Sequence, residues 1–87
     1  MTDLVPLPAE GDPHARLDPD ALYVAIDRQR RQRRMQWRSV AAEAGVSPST
    51  LTRIGQGRRP DADGLVRLLA WLGTTDLAPF ITGATRD

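Results

Sequence analysis

The sequence predicts an all-α fold of five short helices, and three observations lead to this expectation. Apolar residues recur at spacings of three and four, as they do along one face of a helix. Four such stretches open with Asp, Ser or Pro, and three close with Gly, which are start and stop signals of helices. No stretch alternates strictly between apolar and polar residues, so the sequence predicts no strand.

The first helix is predicted to begin at Asp18-Pro19-Asp20 and to extend to about residue 33. Asp18 suits the N-cap, and Pro19 suits the first helical position. Leu22 and Ile26 are four residues apart and therefore share the inner face. The domain is predicted to span residues 18–82, between a flexible, acidic, Pro-containing tail at residues 1–17 and a short tail at residues 83–87.

The second helix is predicted at Trp37–Ala44, and Gly45 ends it because Gly readily adopts a left-handed conformation. The third helix begins with the N-cap and Pro pair Ser47-Pro48 and ends near Gly55 and Gly57. The expected inward-facing residues of these two helices and the turn between them are Val40, Ala41, Ala44, Val46, Leu51 and Ile54.

Pro60-Asp61 opens the fourth helix, and Gly73 closes it. Its four leucines, at i, i+3, i+4 and i+7, are predicted to face the core: Leu65, Leu68, Leu69 and Leu72. A fifth helix is predicted from about residue 76 to residue 81, with Leu77, Phe80 and Ile81 packing on the core.

Composition excludes several classes of function. The chain has no Cys, so disulfides, thiol nucleophiles and zinc–thiolate sites are absent. The single histidine, His14, cannot form a metal site alone, and no nucleophile–base–orienter set is present, so we expect neither enzyme activity, cofactor nor metal. No apolar run reaches the roughly 18 residues of a membrane span. The acidic, Pro-containing N-terminus does not resemble a signal peptide, and a cytoplasmic protein is predicted.

The net charge of +1 conceals an uneven charge distribution. Residues 1–27 carry six acids and one Arg, a net charge of −5, and residues 60–87 have a net charge of −2. Residues 28–59 carry nine Arg and only Glu43, a net charge of +8. The Arg cluster at Arg28, Arg30, Arg31, Arg33 and Arg34 steps around a helix, so most of it is expected to be solvated, with one or two phosphate contacts as the alternative.

Residues 37–56 form a 20-residue pattern, W-R-S-V-A-A-E-A-G-V-S-P-S-T-L-T-R-I-G-Q, in which each restricted position has a steric reason. Two helices that meet at a steep angle need a small residue at their contact, and Ala41 supplies it. The tight turn needs a residue that tolerates positive φ, which is Gly45. Pro48 fits because it lies at the first position of the second helix of the pair. The outward-facing residues of that helix are Ser49, Thr52, Arg53 and Gln56.

This pattern resembles the helix-turn-helix of the Cro-like, phage-repressor-like (XRE-type) DNA-binding family, and the resemblance extends over residues 18–82. It includes the V-A-x-x-A-G-V-S-x-S-T-L-x-R-I core and the G-R-R-P that follows. The resemblance implies a compact lambda-repressor-like domain whose third helix enters the major groove of double-stranded DNA. It implies base reading by Pro48, Ser49, Thr52 and Arg53, with Pro48 offering apolar contact to a thymine methyl and Arg53 binding guanine.

The resemblance also implies phosphate contacts from Trp37, Thr50, Arg58 and Arg59. Two positions depart from the family pattern. Trp37 stands where the family often has Gln. Gly55 stands where the family often has a Glu that pairs with an Arg like Arg30, so Arg30 is expected to be solvated or, alternatively, to contact a phosphate. The missing side chain at Gly55 is expected to loosen the end of the third helix.

The sequence therefore predicts a small transcriptional repressor or regulator of phage, plasmid or bacterial type, which acts by occluding its operator. Two copies on a pseudo-palindromic site are expected, with the fourth helix and the segment 77–81 as the dimer surface. A monomer is the alternative. Trp71 is expected in the core, although an exposed Trp71 or Phe80 would mark a dimer contact. The alternative function is an antitoxin-like or adaptor protein that binds a protein partner, through its helix-turn-helix or its N-terminal tail.

Overall fold

The computed structural model describes residues 13–83 and contains four α-helices in that part of the chain. They are α1 (Pro19–Gln32), α2 (Trp37–Ala44), α3 (Pro48–Gly55) and α4 (Ala62–Leu72). One 3₁₀ turn, Ala78–Phe80, follows, and two short strands, β1 (Arg16–Leu17) and β2 (Ile81–Thr82), flank the helices. The expectation of a mostly helical domain is confirmed, but the predicted count of five helices is wrong.

Side-chain caps fix where three of the helices begin. The Asp18 carboxylate accepts hydrogen bonds from the backbone N–H groups of residues 20 and 21, at 3.1 and 3.3 Å. Ser47 Oγ accepts from the N–H of Thr50 at 3.1 Å, and Asp61 Oδ1 accepts from the N–H of Gly64 at 2.8 Å. These bonds satisfy N–H groups that a helix start leaves without intrahelical acceptors.

The core lies where α1, α2, α3 and α4 meet. Its buried residues are Leu22, Ile26, Val40, Ala41, Ala44, Leu51, Ile54, Leu68, Leu69 and Phe80. The buried Ala41 lies on the face where α2 meets the other helices, and Gly45 ends α2 in the left-handed region at φ 83°. The short side chain and the sharp turn let α3 cross α2 closely while its opposite face stays exposed.

The last segment differs from its prediction. Instead of a fifth helix, the 3₁₀ turn leads into β2, which pairs antiparallel with β1 through Leu17 opposite Ile81 and Arg16 opposite Thr82. Pro79 has no backbone N–H to donate within a longer helix, and the β-branched Ile81 suits an extended backbone. The turn still buries Phe80, but Leu77 and Ile81 are 37% and 48% exposed, so their assignment to the core is wrong.

The strand pair includes two residues that precede the predicted start of the domain at residue 18. Residues 16 and 17 belong to the predicted tail, yet they form β1 and lie beside the end of the domain. The N–H of Asp18 continues the connection by donating to the carbonyl of Phe80 at 2.7 Å. The rest of both predicted tails lies largely outside the described residues, at 1–12 and 84–87. Within residues 13–83, no helix is long and apolar enough to cross a bilayer.

Candidate nucleic-acid interface

The exposed side of α3 carries the four predicted base-reading residues together. Pro48, Ser49, Thr52 and Arg53 are all exposed, and with Gln56 they line one open cleft of about 360 Å³. Leu51 and Ile54 hold this face outward because both are buried on the opposite side of the helix, at 2% and 0% exposure.

Thr50 and Arg59, two of the predicted phosphate contacts, line a second cleft of about 180 Å³ with Arg53. Arg53 thus borders both clefts and lies between the residues predicted to read bases and those predicted to contact phosphates. Arg59 Nε donates to the carbonyl of Leu17 at 3.2 Å, so β1 holds this side chain beside the loop after α3. Arg58 is exposed on the same loop.

Trp37, at the start of α2, lies between two side chains of α1. Its ring stacks on Tyr23 with 4.9 Å between the ring centroids and 16° between the planes. The Arg30 guanidinium carbon lies 4.7 Å from the centroid of the Trp37 ring. Tyr23 and Arg30 lie seven residues apart on α1, which corresponds to about 10.5 Å along the helix axis. This separation nearly equals the sum of the Tyr23–Trp37 and Arg30–Trp37 distances, as expected if the Trp37 ring lies between the two side chains. The Trp37 ring is therefore sandwiched, and its faces are covered while its edge remains available.

The start of α2 also has backbone N–H groups available. Its N-cap residue, Gln36, makes no side-chain capping bond, in contrast to the caps of the other three helices. Within the part of the chain that the structure describes, the N–H groups of residues 37 and 38 have no acceptor. A helix start of this kind favours an anion, as expected for the predicted phosphate contact at Trp37.

Arg30 is engaged within the domain, so the expectation that it is solvated is wrong. Its Nε and Nη2 both donate to Asp27 Oδ1, at 2.9 and 2.7 Å, and Nη1 donates to the carbonyl of Met35 at 3.0 Å. Only 21% of its side chain is exposed. Asp27 thus provides Arg30 with the carboxylate partner that the family often has at position 55. Asp27 also pairs with Arg31 at 3.0 Å. Arg30 thereby supports Trp37 and the corner between α1 and α2.

Gly55 has a steric role that the sequence did not predict. A Cβ atom at this position would lie 2.8 Å from Cε1 of Tyr23, too close for any real contact. The absent side chain therefore leaves space for the Tyr23 ring, which packs on Trp37 and closes the end of α3. Tyr23 and α3 contact each other directly at the point where the sequence predicted looseness.

Glu43, on α2, forms hydrogen bonds with side chains at the end of α1 and on α4. It forms a two-pronged pair with Arg33, at 2.9 and 3.1 Å, and accepts a bond from Trp71 Nε1 at 2.9 Å. Gln29 donates to the carbonyl of Trp71 at 2.8 Å. Trp71 is half-buried, whereas Phe80 is buried, so Phe80 offers no exposed ring for a dimer contact. The hydrogen bond from Arg33, followed by that from Trp71, holds the pKa of Glu43 below its ordinary value.

This pKa shift predicts a pH-dependent contribution to stability. Because the folded-state pKa lies below the ordinary value of 4.5, the contribution is present above that pH and is lost as the pH falls through the folded-state pKa. We expect Glu43→Gln to lower the urea midpoint at about pH 7 and to have a progressively smaller effect as the pH falls below 4.5 through the folded-state pKa. Glu10→Gln removes the only other glutamate and is the control. The same pH profile in both variants would contradict the prediction.

The structure brings most of the sequence-predicted site residues onto one side of the domain. Pro48, Ser49, Thr52 and Arg53 share a cleft, and Thr50 shares another with Arg59. Arg30 is the exception, since it is held under Trp37. Sequence reasoning missed the roles of Asp27 and Tyr23. The spacing of Asp27 to Arg30 and Arg31, at i+3 and i+4, was the available signal for the first. No local signal links Tyr23 to Gly55.

Comparison with known proteins agrees with this geometry. The model of a family described as Helix-turn-helix matches residues 26–78, which include all of α2, α3 and α4. The searches of curated proteins and of solved structures found no match.

Proposed function

Because this chain belongs to the Cro-like, XRE-type helix-turn-helix family, we propose that it is a sequence-specific DNA-binding repressor that occludes its operator. The observation that carries the proposal is the exposed face of α3. Ser49, Thr52 and Arg53 lie there together, while the opposite face of the same helix is anchored in the core. In helix-turn-helix proteins, the N-terminal residues of this helix contact base edges in the major groove.

Base reading is assigned to Pro48, Ser49, Thr52 and Arg53. Arg53 is the residue that can bind guanine O6 and N7 in a bidentate manner, the commonest specific contact in protein–DNA complexes. Ser49 can donate or accept at a neighbouring base edge. Gln56 lines the same cleft and can add a contact at its far end.

Phosphate contacts on both sides of α3 would fix its position in the groove. Thr50, Arg58 and Arg59 lie on one side, and the uncapped start of α2 with the Trp37 edge lies on the other. Phosphate contacts of this kind set the register of a protein on DNA without reading sequence. The flanking acidic segments would oppose binding to random DNA, which makes the base contacts more important.

Two copies would bind a pseudo-palindromic operator, since a single domain of this size buries little surface on DNA. The proposed dimer surface includes α4 and the segment 77–81. Its support is an open cleft of about 270 Å³ whose apolar lining residues are Leu17, Leu65, Leu77 and Ile81.

Salt-dependent binding to selected and random DNA tests the function. Sites are first selected from a random DNA pool, and the affinity of the selected site is then measured from low to moderate salt. If Arg58 and Arg59 each neutralise one phosphate, log K falls with log salt at a slope of about −1.8 for one copy and about −3.6 for two copies on the operator. A flat slope with no sequence preference, together with binding to a protein partner alone, would instead support an adaptor or antitoxin-like role.

A further inference from the structure

Another cleft, the Trp37 cleft, lies between Trp37 and α3 and adjoins the base-reading face. It has a volume of about 340 Å³ and is open to solvent. Its walls include Tyr23 from α1, Trp37 from α2, and Pro48, Thr52, Gly55 and Gln56 from α3 and its C-cap. Pro48, Thr52 and Gln56 also line the base-reading cleft, so the two clefts are neighbours on the surface of α3.

Tyr23 reaches the Trp37 cleft from α1 because residue 55 is a glycine. A Cβ atom at Gly55 would lie 2.8 Å from Cε1 and 3.1 Å from Cζ of Tyr23, and Cζ is the carbon that bears the hydroxyl. Stacking on Trp37 covers one face of the Tyr23 ring, with 4.9 Å between the ring centroids. The ring is therefore held by contacts with both α2 and α3, and its hydroxyl lies next to the end of α3.

Three side chains of the Trp37 cleft carry hydrogen-bond donors for which residues 13–83 provide no acceptor. They are the Tyr23 hydroxyl, Trp37 Nε1 and the Gln56 amide. The Thr52 hydroxyl, in contrast, donates to the carbonyl of Pro48 at 3.2 Å. An indole N–H can only donate, and a phenolic O–H donates when it meets an acceptor. The cleft therefore suits a ligand that presents acceptor oxygens.

We propose that the Tyr23 hydroxyl and Trp37 Nε1 bind one phosphate of the DNA backbone in the Trp37 cleft. The inference rests on the proposed function, because it requires α3 to lie in the major groove. Phosphate oxygens are acceptors, and tyrosine is among the side chains that contact them in protein–DNA complexes. None of the residues that line the cleft is acidic, and the Arg30 guanidinium carbon lies 4.7 Å from the centroid of the Trp37 ring. These surroundings favour an anion.

Tyr23 thereby becomes a phosphate-contacting residue that helps to set the position of α3 on the DNA. The ring occupies the space beside Gly55, where the family often has a glutamate side chain, and it brings a donor in place of an acid. A neutral donor adds a hydrogen bond without neutralising the charge of the phosphate, so it releases no counterion. The contribution of Tyr23 to affinity is therefore independent of salt, unlike that of an arginine.

Tyr23→Phe tests the inference, because it removes the hydroxyl and keeps the ring over Gly55 and Trp37. We expect binding to weaken by about tenfold or more per copy, the effect of one hydrogen bond to a charged group. The loss should be the same for the selected site and its single-base variants, and the slope of log K against log salt should not change. Arg58→Ala is the control, since it should reduce that slope by about 0.9.

Two results of this experiment would overturn the inference. The first is unchanged affinity of Tyr23→Phe, or a loss that is confined to one base pair. The second is weaker binding accompanied by a lower melting temperature, which would assign the hydroxyl a structural role. An unchanged melting temperature with weaker binding supports the contact, because the packing of the ring is then intact.

Methylphosphonate linkages locate the phosphate, since each replaces one charged phosphate oxygen with a methyl group. They are introduced into the selected site one position at a time, and the loss of affinity is measured at each position. In Tyr23→Phe, this loss should shrink at one position in each half-site, and Trp37→Phe should diminish it at the same position. If the two variants act at different positions, or at none, the shared phosphate is disproved.

The same measurements separate failure of the inference from failure of the function. If the protein selects no DNA sequence, the repressor proposal fails and the inference fails with it. If it selects a site with a clear preference and Tyr23→Phe binds that site as tightly as the unchanged protein, only the phosphate contact of Tyr23 is disproved.

Discussion

Arg53→Ala is expected to weaken binding to the selected DNA site by about 1–3 kcal/mol and to relax the preference at one base pair. Arg53 is exposed on α3, and no hydrogen bond or ion pair within residues 13–83 holds its guanidinium. Truncation would therefore remove the proposed DNA contact and little internal structure. The measurement is the affinity for the selected site and for its single-base variants, each at the same salt concentration.

Arg58→Ala is the matched control, since it removes another exposed arginine from the loop directly after α3. It should weaken binding to all sequences alike and reduce the slope of log K against log salt by about 0.9. The comparison is informative because Arg53 also borders the cleft that contains Thr50 and Arg59. If both variants lose affinity equally for selected and random DNA, Arg53 contacts a phosphate and its assignment to a base is wrong.

Leu68→Ala is expected to lower the free energy of unfolding by about 2–5 kcal/mol, the usual cost of a cavity in place of a buried leucine. Leu68 is fully buried on α4, which packs against α1 and α2. A domain of this size has little stability to lose, so the melting temperature should fall by roughly 10 °C or more. Urea and thermal denaturation, followed by circular dichroism, measure both quantities.

Val66→Ala is the control on the same helix, two residues away, with a side chain that is 63% exposed. The free energy of unfolding should change by no more than about 0.5 kcal/mol, as is usual for surface positions. Equal losses in the two variants would contradict the described orientation of α4. A loss confined to Leu68→Ala would support it.

Local signals predicted most of the helical structure. Asp18, Ser47 and Asp61 mark helix starts because their side chains cap the helix to which they belong. Gly45 marks a helix end because the left-handed conformation requires little more than the residue itself. The periodic leucines of α4 likewise indicate the buried face, which includes Leu68 and Leu69. Features of this kind depend on residues within one or two turns of each other.

Contacts between distant residues could not be predicted in the same way. The pairing of Leu17 with Ile81 depends on where the helices place the two ends of the domain. The fit of Tyr23 over Gly55 depends on the crossing of α1 and α3, which no local pattern records. Arg30 differs, because its partner Asp27 is a local one, three residues earlier on the same helix, whereas the family pattern places an acid at position 55. The grouping of the proposed base-reading residues on one exposed face follows from the family pattern, which reflects the fold of the whole domain.

The pairing of β1 with β2 links the ends of the described domain to the side that carries the proposed phosphate contact Arg59. A ribbon of two residues in each strand is marginal by itself and can open while the helices remain folded. Its opening would release the carbonyl of Leu17, the acceptor that holds Arg59. A phosphate that binds Arg59 would remove this side chain from the Leu17 carbonyl and so favour opening of the ribbon. Because such coupling is reciprocal, the protein with an open ribbon would bind that phosphate more tightly. The two equilibria are coupled by about the 0.5–1.5 kcal/mol of one hydrogen bond.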